Sequence, residues 1–405
     1  MEELKEYVEH REIEIQKVSK LRFHEQANIQ RDKLRQDADI DYARVLYSSS
    51  FRRLQGKMQL LIPDGINFYR NRLTHSLEVS QIARSIAKRI GLQDTLTVQT
   101  CSLAHDLGNP PFGHAGEGYL NKFNKDFSYE GNAQTFRILT NIEEKFHNCN
   151  GLNLTLRTLL GIVKYPNNKA QNANKFLYDN DYSLITDWAN IHKLELKTID
   201  CEIMDLADEI AYAAHDLEDT LRMKLFTIDD LLFEFSNSLE YKECLPKFSK
   251  LVKKAKKYAF KAKTYGTSEE FSVLFYKELT SSIVNLLVVD IGLIYSNTKK
   301  VLGYKKYSKI AKGLKKLTFK AVKRRPDIIR YEQLGKKVLS GLYEVLSDEK
   351  FNENLILLPA DYRDEKDKER TVLDYIGGMM DSYAINQYKV YFGSNSLDCL
   401  YDNKL

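Results

Sequence analysis

An all-α fold is predicted for this chain of 405 residues from three observations. The chain contains only 7 prolines and 19 glycines, the residues that interrupt helices most strongly. Apolar residues between positions 73 and 90 recur with the period of a helix, and Gly91 follows as a C-cap. The alternation of apolar and polar residues that is typical of half-buried strands does not recur. We therefore expect a helical bundle with additional C-terminal helices.

The helical patterns follow one another along the chain, and one polar stretch interrupts them. We expect a charged N-terminal helical segment over 1–40, a core over 41–225, and a helical C-terminal region over 226–405 that completes the fold. The Asn-rich stretch 166–182 is predicted to be a surface loop. Within the core, the helical patterns cover 41–62, 73–90, 95–107, 132–147, 154–163 and 198–224.

Composition excludes several classes of protein. A content of 43% apolar and 11% aromatic residues is incompatible with intrinsic disorder. No uninterrupted apolar run approaches the roughly 18 residues of a membrane span, and the first thirty residues carry both charge signs, unlike a secretory signal. Five scattered cysteines without a CxxC pair predict a reduced, cytoplasmic protein with neither disulfides nor a cysteine-ligated zinc site.

The net charge of +5 conceals two lysine-rich segments. Residues 247–263 contain eight lysines and residues 299–325 contain twelve basic residues, and neither segment contains an acid. The rest of the chain is therefore acidic. This segregation favours a partner that carries phosphate groups, although two solvated helix faces would have the same composition.

Reactive side chains are concentrated in the sequence HDLGNPPFGHAGE. It contains His105, Asp106, His114 and Glu117, and a further histidine, His75, lies thirty residues upstream in an apolar helix. Imidazole and carboxylate groups together suit Mn, Fe, Co, Ni or Zn, and they tolerate Mg. An isolated His-Asp pair is more often a structural hydrogen bond, so a further ligand is needed before a metal site is predicted.

The pattern over 198–224 supplies such a ligand. Asp208, Tyr212, His215 and Asp216 have the spacing of one helix face, and alanines surround them. Buried carboxylates require a cation or hydrogen-bond donors. We therefore expect Asp208 to complete a site with the two histidines and Asp106.

These residues resemble the H…HD…D signature of the HD-domain metal-dependent phosphohydrolases. The resemblance is closest to the bacterial deoxyguanosinetriphosphate triphosphohydrolases, or dGTPases, and it spans residues 41 to about 384. The blocks that carry it are SSSFRRLQGKMQL (48–60), NRLTHSLEVSQIARSIA (71–87), AHDLGNPPFGHAGE (104–117), YEGNAQTFRIL (129–139), KYP (164–166), DLADEIAYAAHDLED (205–219) and DYIGGMMDSYA (374–384).

The resemblance implies a reaction and a set of roles. The expected reaction is hydrolysis of a deoxynucleoside triphosphate, dGTP or a broader dNTP set, to a deoxynucleoside and inorganic triphosphate. A divalent ion, whether Mg, Mn, Fe or Co, would polarise the α-phosphate. The implied metal ligands are His75, His105, Asp106 and Asp208, and His114 with Glu117 would form a catalytic dyad.

The substrate contacts are also implied by position. Gln59 and Asp216 would bind the 3′-hydroxyl, Tyr212 would pack on the sugar at C2′, and Arg72 and Asn109 would lie near the phosphates. Two positions depart from relatives: Gly131 stands where some have a second histidine, and Glu209 stands where the mammalian SAM-and-HD branch has lysine. Lysines from the basic segments would then hold the terminal phosphate.

Several functional alternatives remain at this point. An HD phosphatase acting on nucleoside monophosphates or cyclic nucleotides, or a binding protein for dNTP or nucleic acid with a vestigial site, would share much of the pattern. The basic segments would line the triphosphate site or a second, regulatory dNTP site, or they would bind single-stranded nucleic acid. For that binding, the stacking residues would be Tyr258, Phe260, Tyr265, Tyr304 and Tyr307. We expect a homo-oligomer, a hexamer or tetramer, without a membrane partner.

Overall fold

The computed structural model describes residues 2–24, 35–59, 70–123, 128–146, 149–262, 266–296, 299–363 and 367–400. The end of the predicted helix 41–62 and Tyr265 lie outside these residues. Within them, the predicted all-α class is confirmed, since helices and one two-stranded hairpin account for the regular structure.

The helices divide into a first series up to residue 222 and a second series beyond it. The first series is α1 (Glu2–Gln16), α2 (Asp37–Tyr47), α3 (Ser49–Arg53), α4 (Arg72–Ile90), α5 (Thr95–Ala104), α6 (Gly113–Phe123), α7 (Gly131–Arg137), α8 (Leu156–Ile162), α9 (Asp179–His192), α10 (Ile199–Ala211) and α11 (Leu217–Arg222). The second is α12 (Ile228–Asn237), α13 (Leu245–Ala259), α14 (Ser268–Asp290), α15 (Ser308–Val322), α16 (Pro326–Ser347), α17 (Lys368–Gly378) and α18 (Asp381–Phe392).

Local sequence explains where the central helices begin and end. The Asn71 side chain accepts a hydrogen bond from the Thr74 N–H and caps α4, and Gly91 ends that helix in the left-handed conformation, with φ of 91°. Asp94 caps α5 in the same way. These caps fix the two helices that carry His75 and the His105-Asp106 pair.

The prediction of one continuous helix over 198–224 is wrong in one respect. A π-helical turn, Tyr212–Asp216, separates α10 from α11. The wider turn rotates the following residues, so Asp216 stays on the buried side, whereas His215 turns toward Arg70 and Glu78.

The expectation of helix throughout the C-terminal region is also wrong. Residues Ile291–Ser296 (β1) and Lys299–Tyr304 (β2) form an antiparallel hairpin. The hairpin contains β-branched and aromatic residues, which favour strands over helices. The second lysine-rich segment therefore begins as a strand and becomes helical only at α15.

Two hydrophobic cores lie within the described residues. The larger contains residues from Leu4 to Ile328, and the charged helix α1 is packed into it through Leu4, Val8 and Ile15. The smaller core joins Phe112 and Leu120 to the side chains of α16–α18. The proposed domain boundary near residue 225 stays a prediction.

Helix α14 is long and apolar enough to cross a membrane by length and composition alone, which the sequence reading did not expect. The same test is passed by core helices of soluble proteins. One side of α14 is buried through Phe275, Leu279, Ile283 and Leu287.

Candidate active site

Four buried side chains from α4, from the end of α5 and from α10 converge in one place. His75 lies on α4, His105 and Asp106 follow the end of α5, and Asp208 lies on α10. The Asp208 Oδ1 atom lies 3.1 Å from His75 Nε2 and 3.5 Å from His105 Nε2. His105 Nε2 is also 3.4 Å from Asp106 Oδ1. All four predicted ligands are thus brought together, and each is at most 6% exposed.

The two carboxylates use their oxygens in the same way. In each, Oδ2 accepts from a cation at 2.7 Å, which is Arg72 for Asp106 and Lys164 for Asp208. In each, Oδ1 faces the imidazoles. Although burial opposes ionisation, His105 and Arg72 hold the pKa of Asp106 well below its usual range, and Lys164 and His105 do so for Asp208.

The donor set fits a divalent metal ion. Suitable ligand atoms of His75, His105 and Asp106 lie within 4.8 Å of one another. His105 Nδ1 is 2.7 Å from the Ser102 carbonyl oxygen, so we assign the proton to Nδ1, and the buried Nε2 has no hydrogen-bond partner among the described residues. An imidazole nitrogen with a free lone pair beside two carboxylates is the arrangement that a metal ion requires.

His114 and Glu117 lie on the first turn and a half of α6, directly after the Pro-Pro turn. Their side chains face each other, with His114 Nδ1 at 3.3 Å from Glu117 Oε2, and His114 is largely exposed. Glu117 also accepts from the Gly131 N–H at 3.2 Å and from Lys175 at 3.4 Å. Although burial opposes ionisation, His114, then Lys175 and the Gly131 N–H, lower the pKa of Glu117 to about 2. The carboxylate is therefore charged at neutral pH and can orient the imidazole.

Gly131, where the resemblance led us to expect a departure from some relatives, lies beside Glu117. A Cβ atom there would lie 3.5 Å from Asn109 Oδ1 and 3.8 Å from Glu117 Oε1. A side chain at residue 131 would therefore reach the same site, and in this chain its place is taken by the backbone N–H that binds Glu117.

His75, His105, Asp106 and Asp208 together form the candidate metal-binding cluster, or metal cluster. A cavity of about 200 Å³ adjoins it. The Tyr212 ring lies 5.0 Å from the His75 ring, measured between centroids, and joins the cavity to the cluster. Gln59, His114 and Asp216 form one side of it. The other side is formed by residues of α15, namely Lys315, Lys316, Thr318 and Phe319.

Buried polar atoms without partners line this cavity. Among the described residues, neither amide atom of Gln59, nor Oδ1 of Asp216, nor Oγ1 of Thr318 has a hydrogen-bond partner. Burial also raises the pKa of Asp216 well above its usual range. Leaving such groups unpaired costs about 1–3 kcal/mol each, so their presence in one cavity indicates a polar ligand.

Two residues that were predicted to contact phosphate, Arg72 and Asn109, instead donate hydrogen bonds to Asp106. The Arg72 guanidinium, 1% exposed, donates to Asp106, and the Asn109 amide donates to the other oxygen of the same carboxylate at 2.7 Å. Both residues therefore orient a cluster carboxylate. Their roles toward phosphate stay predictions.

Sequence reasoning missed the contribution of the predicted surface loop. Lys164 lies just before it and Lys175 lies within it, and they reach Asp208 and Glu117, respectively. The KYP motif at 164–166, one of the blocks that carry the family resemblance, was a signal for the first lysine. No local pattern distinguished Lys175 or Thr318 from other surface-type residues.

The comparisons with known proteins agree with this geometry. The HD domain family matches residues 72–213, and the phosphohydrolase-associated domain matches residues 305–390. "Deoxyguanosinetriphosphate triphosphohydrolase-like protein 2" from Vibrio cholerae is 55% identical over 370 residues, which cover 91% of each chain. This chain belongs to the dGTPase-like family of HD-domain proteins. The HD match contains all four residues of the metal cluster.

More distant members of the dGTPase-like family also match along most of the chain. A deoxyguanosinetriphosphate triphosphohydrolase-like protein from Wolinella succinogenes is 33% identical and covers 91% of this chain and 99% of its own. Another, from Leptospira interrogans, is 33% identical and covers 86% and 88%. The similarity therefore includes the C-terminal helices, from which α15 lines the cavity.

Proposed function

We propose that this dGTPase-like protein hydrolyses deoxynucleoside triphosphates to a deoxynucleoside and inorganic triphosphate. The observation that carries the proposal is the group of unpaired polar atoms in a cavity beside a His-Asp cluster that fits a metal ion. The relatives' names support the substrate class, and the HD domain supports a phosphohydrolase.

The protein's own residues would bind and orient the substrate. Gln59 and Asp216 have the free hydrogen-bonding capacity that a sugar 3′-hydroxyl would use, and the Tyr212 ring would pack against C2′. His114, held by the charged Glu117, would transfer a proton near the α-phosphate. A divalent ion held by His75, His105, Asp106 and Asp208 would polarise that phosphate and activate water.

Lysines would neutralise the triphosphate. The Nζ atom of Lys315 lies 4.3 Å from the centre of the Tyr212 ring, in the cavity beside the metal cluster, which is the proposed sugar cavity. Lys316 lines the same cavity, and Lys164 donates to Asp208 of the metal cluster. This supports the prediction that the second basic segment lies near the phosphates, where Glu209 supplies no cation.

The experiment that tests this proposal is a product assay. The purified protein is incubated with each of the four dNTPs and their ribonucleotide counterparts, with Mg²⁺, Mn²⁺, Fe²⁺ or Co²⁺. We expect one deoxynucleoside and one triphosphate per dNTP consumed, with little turnover of ribonucleotides. Orthophosphate from nucleoside monophosphates would instead support the HD phosphatase alternative, and binding without turnover under every condition would support a vestigial site.

The remaining partner predictions are part of the same proposal. We propose a cytoplasmic homo-oligomer, a hexamer or tetramer, whose mass light scattering would measure. A second, regulatory dNTP would be detected as sigmoidal kinetics.

Single-stranded nucleic acid is the alternative partner of the basic segments, since Tyr258 and Phe260 are exposed on α13 and just after it. Tyr304, in contrast, is buried and cannot stack on a base. Salt-dependent oligonucleotide binding by an inactive variant would test this alternative.

A further inference from the structure

The turn between the two halves of the candidate active site has a strained backbone. It runs from Gly108 to Gly113 and connects Asp106 to His114. Phe112 within it has φ of 62°, a left-handed conformation that costs a non-glycine residue roughly 1–2 kcal/mol. Such a conformation persists only where the surroundings hold it.

Lys57 holds one end of this turn. Its side chain is buried, and the Nζ atom donates to the carbonyl oxygens of Asn109 at 2.5 Å and Gly377 at 2.8 Å. Asn109 in turn binds Asp106 of the metal cluster through its amide. A single side-chain nitrogen therefore connects the cluster to the last turn of α17.

Asp381 holds the other end. This buried carboxylate, in the first turn of α18, accepts from the Phe112 N–H and the Met58 N–H, both at 3.1 Å. The Phe112 ring lies in the smaller hydrophobic core, 5.6 Å from the Tyr331 ring. Because Met58 precedes Gln59, the same carboxylate also fixes the backbone beside the sugar cavity.

We propose that Lys57 and Asp381 are positioning residues through which the C-terminal helices α17 and α18 set the geometry of the catalytic turn and of Gln59. This inference rests on the proposed function for its kinetic consequence. Lys57 and Asp381 act through Asn109, Phe112 and Met58, and neither touches the metal cluster or lines the sugar cavity.

The test uses two variants of the full-length protein, Asp381→Asn and Lys57→Met. Asparagine keeps the size of Asp381 and one acceptor oxygen, so one backbone N–H loses its partner. Methionine fills the space of Lys57 but leaves two buried carbonyls without a donor. We expect kcat to fall roughly 10- to 100-fold while KM changes less than about threefold, because small displacements of catalytic groups affect the chemical step.

Two readouts do not depend on activity. Hydrogen exchange at the Phe112 amide is expected to accelerate by about tenfold or more in Asp381→Asn. In Lys57→Met, Mn²⁺ binding to the metal-free protein is expected to weaken by roughly 3- to 10-fold, since Asn109 orients Asp106 less well. Asp381→Asn remains informative if Lys57→Met fails to fold.

Asn352→Ala is the matched control. Asn352 is equally buried among the C-terminal helices and binds Leu346 and Leu357, but it does not contact the turn. The Asn352→Ala variant is expected to unfold at a lower urea concentration, while kcat, hydrogen exchange at the Phe112 amide and Mn²⁺ binding stay at wild-type values. If it changed all three as strongly as Asp381→Asn does, a general loss of stability would explain the results and the proposal would be wrong.

Wild-type kcat, Phe112 exchange and Mn²⁺ affinity in folded Asp381→Asn and Lys57→Met would also overturn the proposal. If the wild-type protein hydrolyses no nucleotide, the proposed function fails separately, and the exchange and Mn²⁺ comparisons still decide whether Lys57 and Asp381 hold the turn.

Discussion

At the scale of single residues, the carboxylates of the metal cluster are prepared for a cation by their neighbours. Arg72 and Lys164 each bind one oxygen of Asp106 and Asp208, respectively, and the second oxygen is left facing the histidines. These two basic groups keep both carboxylates ionised in a buried place, where isolated charges would be unstable. The charged state that a metal ion requires is thus maintained by the protein itself.

Replacing Asp208 with alanine is expected to abolish turnover and to leave the fold intact. The variant removes one cluster carboxylate and leaves Lys164 with a second partner, Asp205, at 3.0 Å. The rate of product formation should fall by about 10³-fold or more. The amount of bound metal, measured by elemental analysis, should fall as well. Asp205→Asn on the same helix is the control and should keep activity within a few-fold. Full activity in Asp208→Ala would contradict the metal assignment.

The buried carboxyl group of Asp181 is expected to make the unfolding free energy depend on pH. It lines a separate surface cavity beside Arg137 and Arg370, and burial raises its pKa to about 6 despite these cations. The pKa of an aspartate in an unfolded chain is about 3.9. The folded state therefore favours the protonated carboxyl, and this contribution to the unfolding free energy is fully present below pH 4 and is lost as the pH rises through 6. Asp181→Asn should therefore add roughly 2–3 kcal/mol to the unfolding free energy at pH 8 and little at pH 4.

Urea unfolding at the two pH values measures this effect. Asp179→Asn, in the same helical turn but exposed, is the control and should change stability by less than about 0.5 kcal/mol at either pH. Equal stabilisation by Asp181→Asn at pH 4 and pH 8 would show that the charge is not responsible.

At the scale of elements, the sugar cavity depends on two irregularities next to regular helices. Within the π-helical turn Tyr212–Asp216, Tyr212 lies beside His75 and Asp216 is buried, while His215 is directed toward Arg70 and Glu78. The hairpin β1–β2 precedes α15, whose inner face then closes the cavity through Lys315 and Thr318. The π-helical turn and α15 thus form much of the cavity wall together.

Lys315→Gln tests the role of α15. Loss of a charge-assisted contact with phosphate should raise KM for dNTP by roughly tenfold, with a smaller effect on kcat. Lys320→Gln, an exposed lysine on the same helix that does not line the cavity, is the control and should change KM less than twofold. Equal effects of the two substitutions would indicate a general charge effect of the basic segment.

Elements with strong local signals were predictable, and elements set by tertiary contacts were not. Helix α4 combines an N-cap, a regular apolar period and a C-terminal glycine, so its bounds follow from sequence. The π-helical turn has no such signal, because Tyr212–Asp216 continues the apolar pattern of α10. The hairpin was missed because its strands lie next to long helical and lysine-rich stretches, and its alternation covers only six residues per strand.

At the scale of the whole molecule, the candidate site lies where the two hydrophobic cores meet. The candidate metal ligands lie on or next to helices of the larger core, whereas Phe112, close in sequence to His114, is part of the smaller one. Lys57 and Asp381 connect these parts across 320 or more residues of sequence. The C-terminal third of the chain is therefore expected to determine the geometry of the site as well as its surroundings.

The long-range contacts explain which site residues sequence could reveal. His75, His105, Asp106 and Asp208 carry a spaced motif of reactive side chains and were recognisable without coordinates. Lys57 and Asp381 are single polar residues whose chemistry appears only when their burial and partners are known. Arg72 was recognised, but only the structure shows that it binds a cluster carboxylate.

The central claim is that water attacks the α-phosphorus of a dNTP and releases the whole triphosphate. Phosphorus NMR of the products formed in ¹⁸O-enriched water tests this claim most directly. We predict that all phosphorus of the consumed dNTP appears as inorganic triphosphate, with ¹⁸O on one terminal phosphate and none in the deoxynucleoside. Orthophosphate or pyrophosphate as the first product, or ¹⁸O at the 5′ position of the deoxynucleoside, would contradict the account.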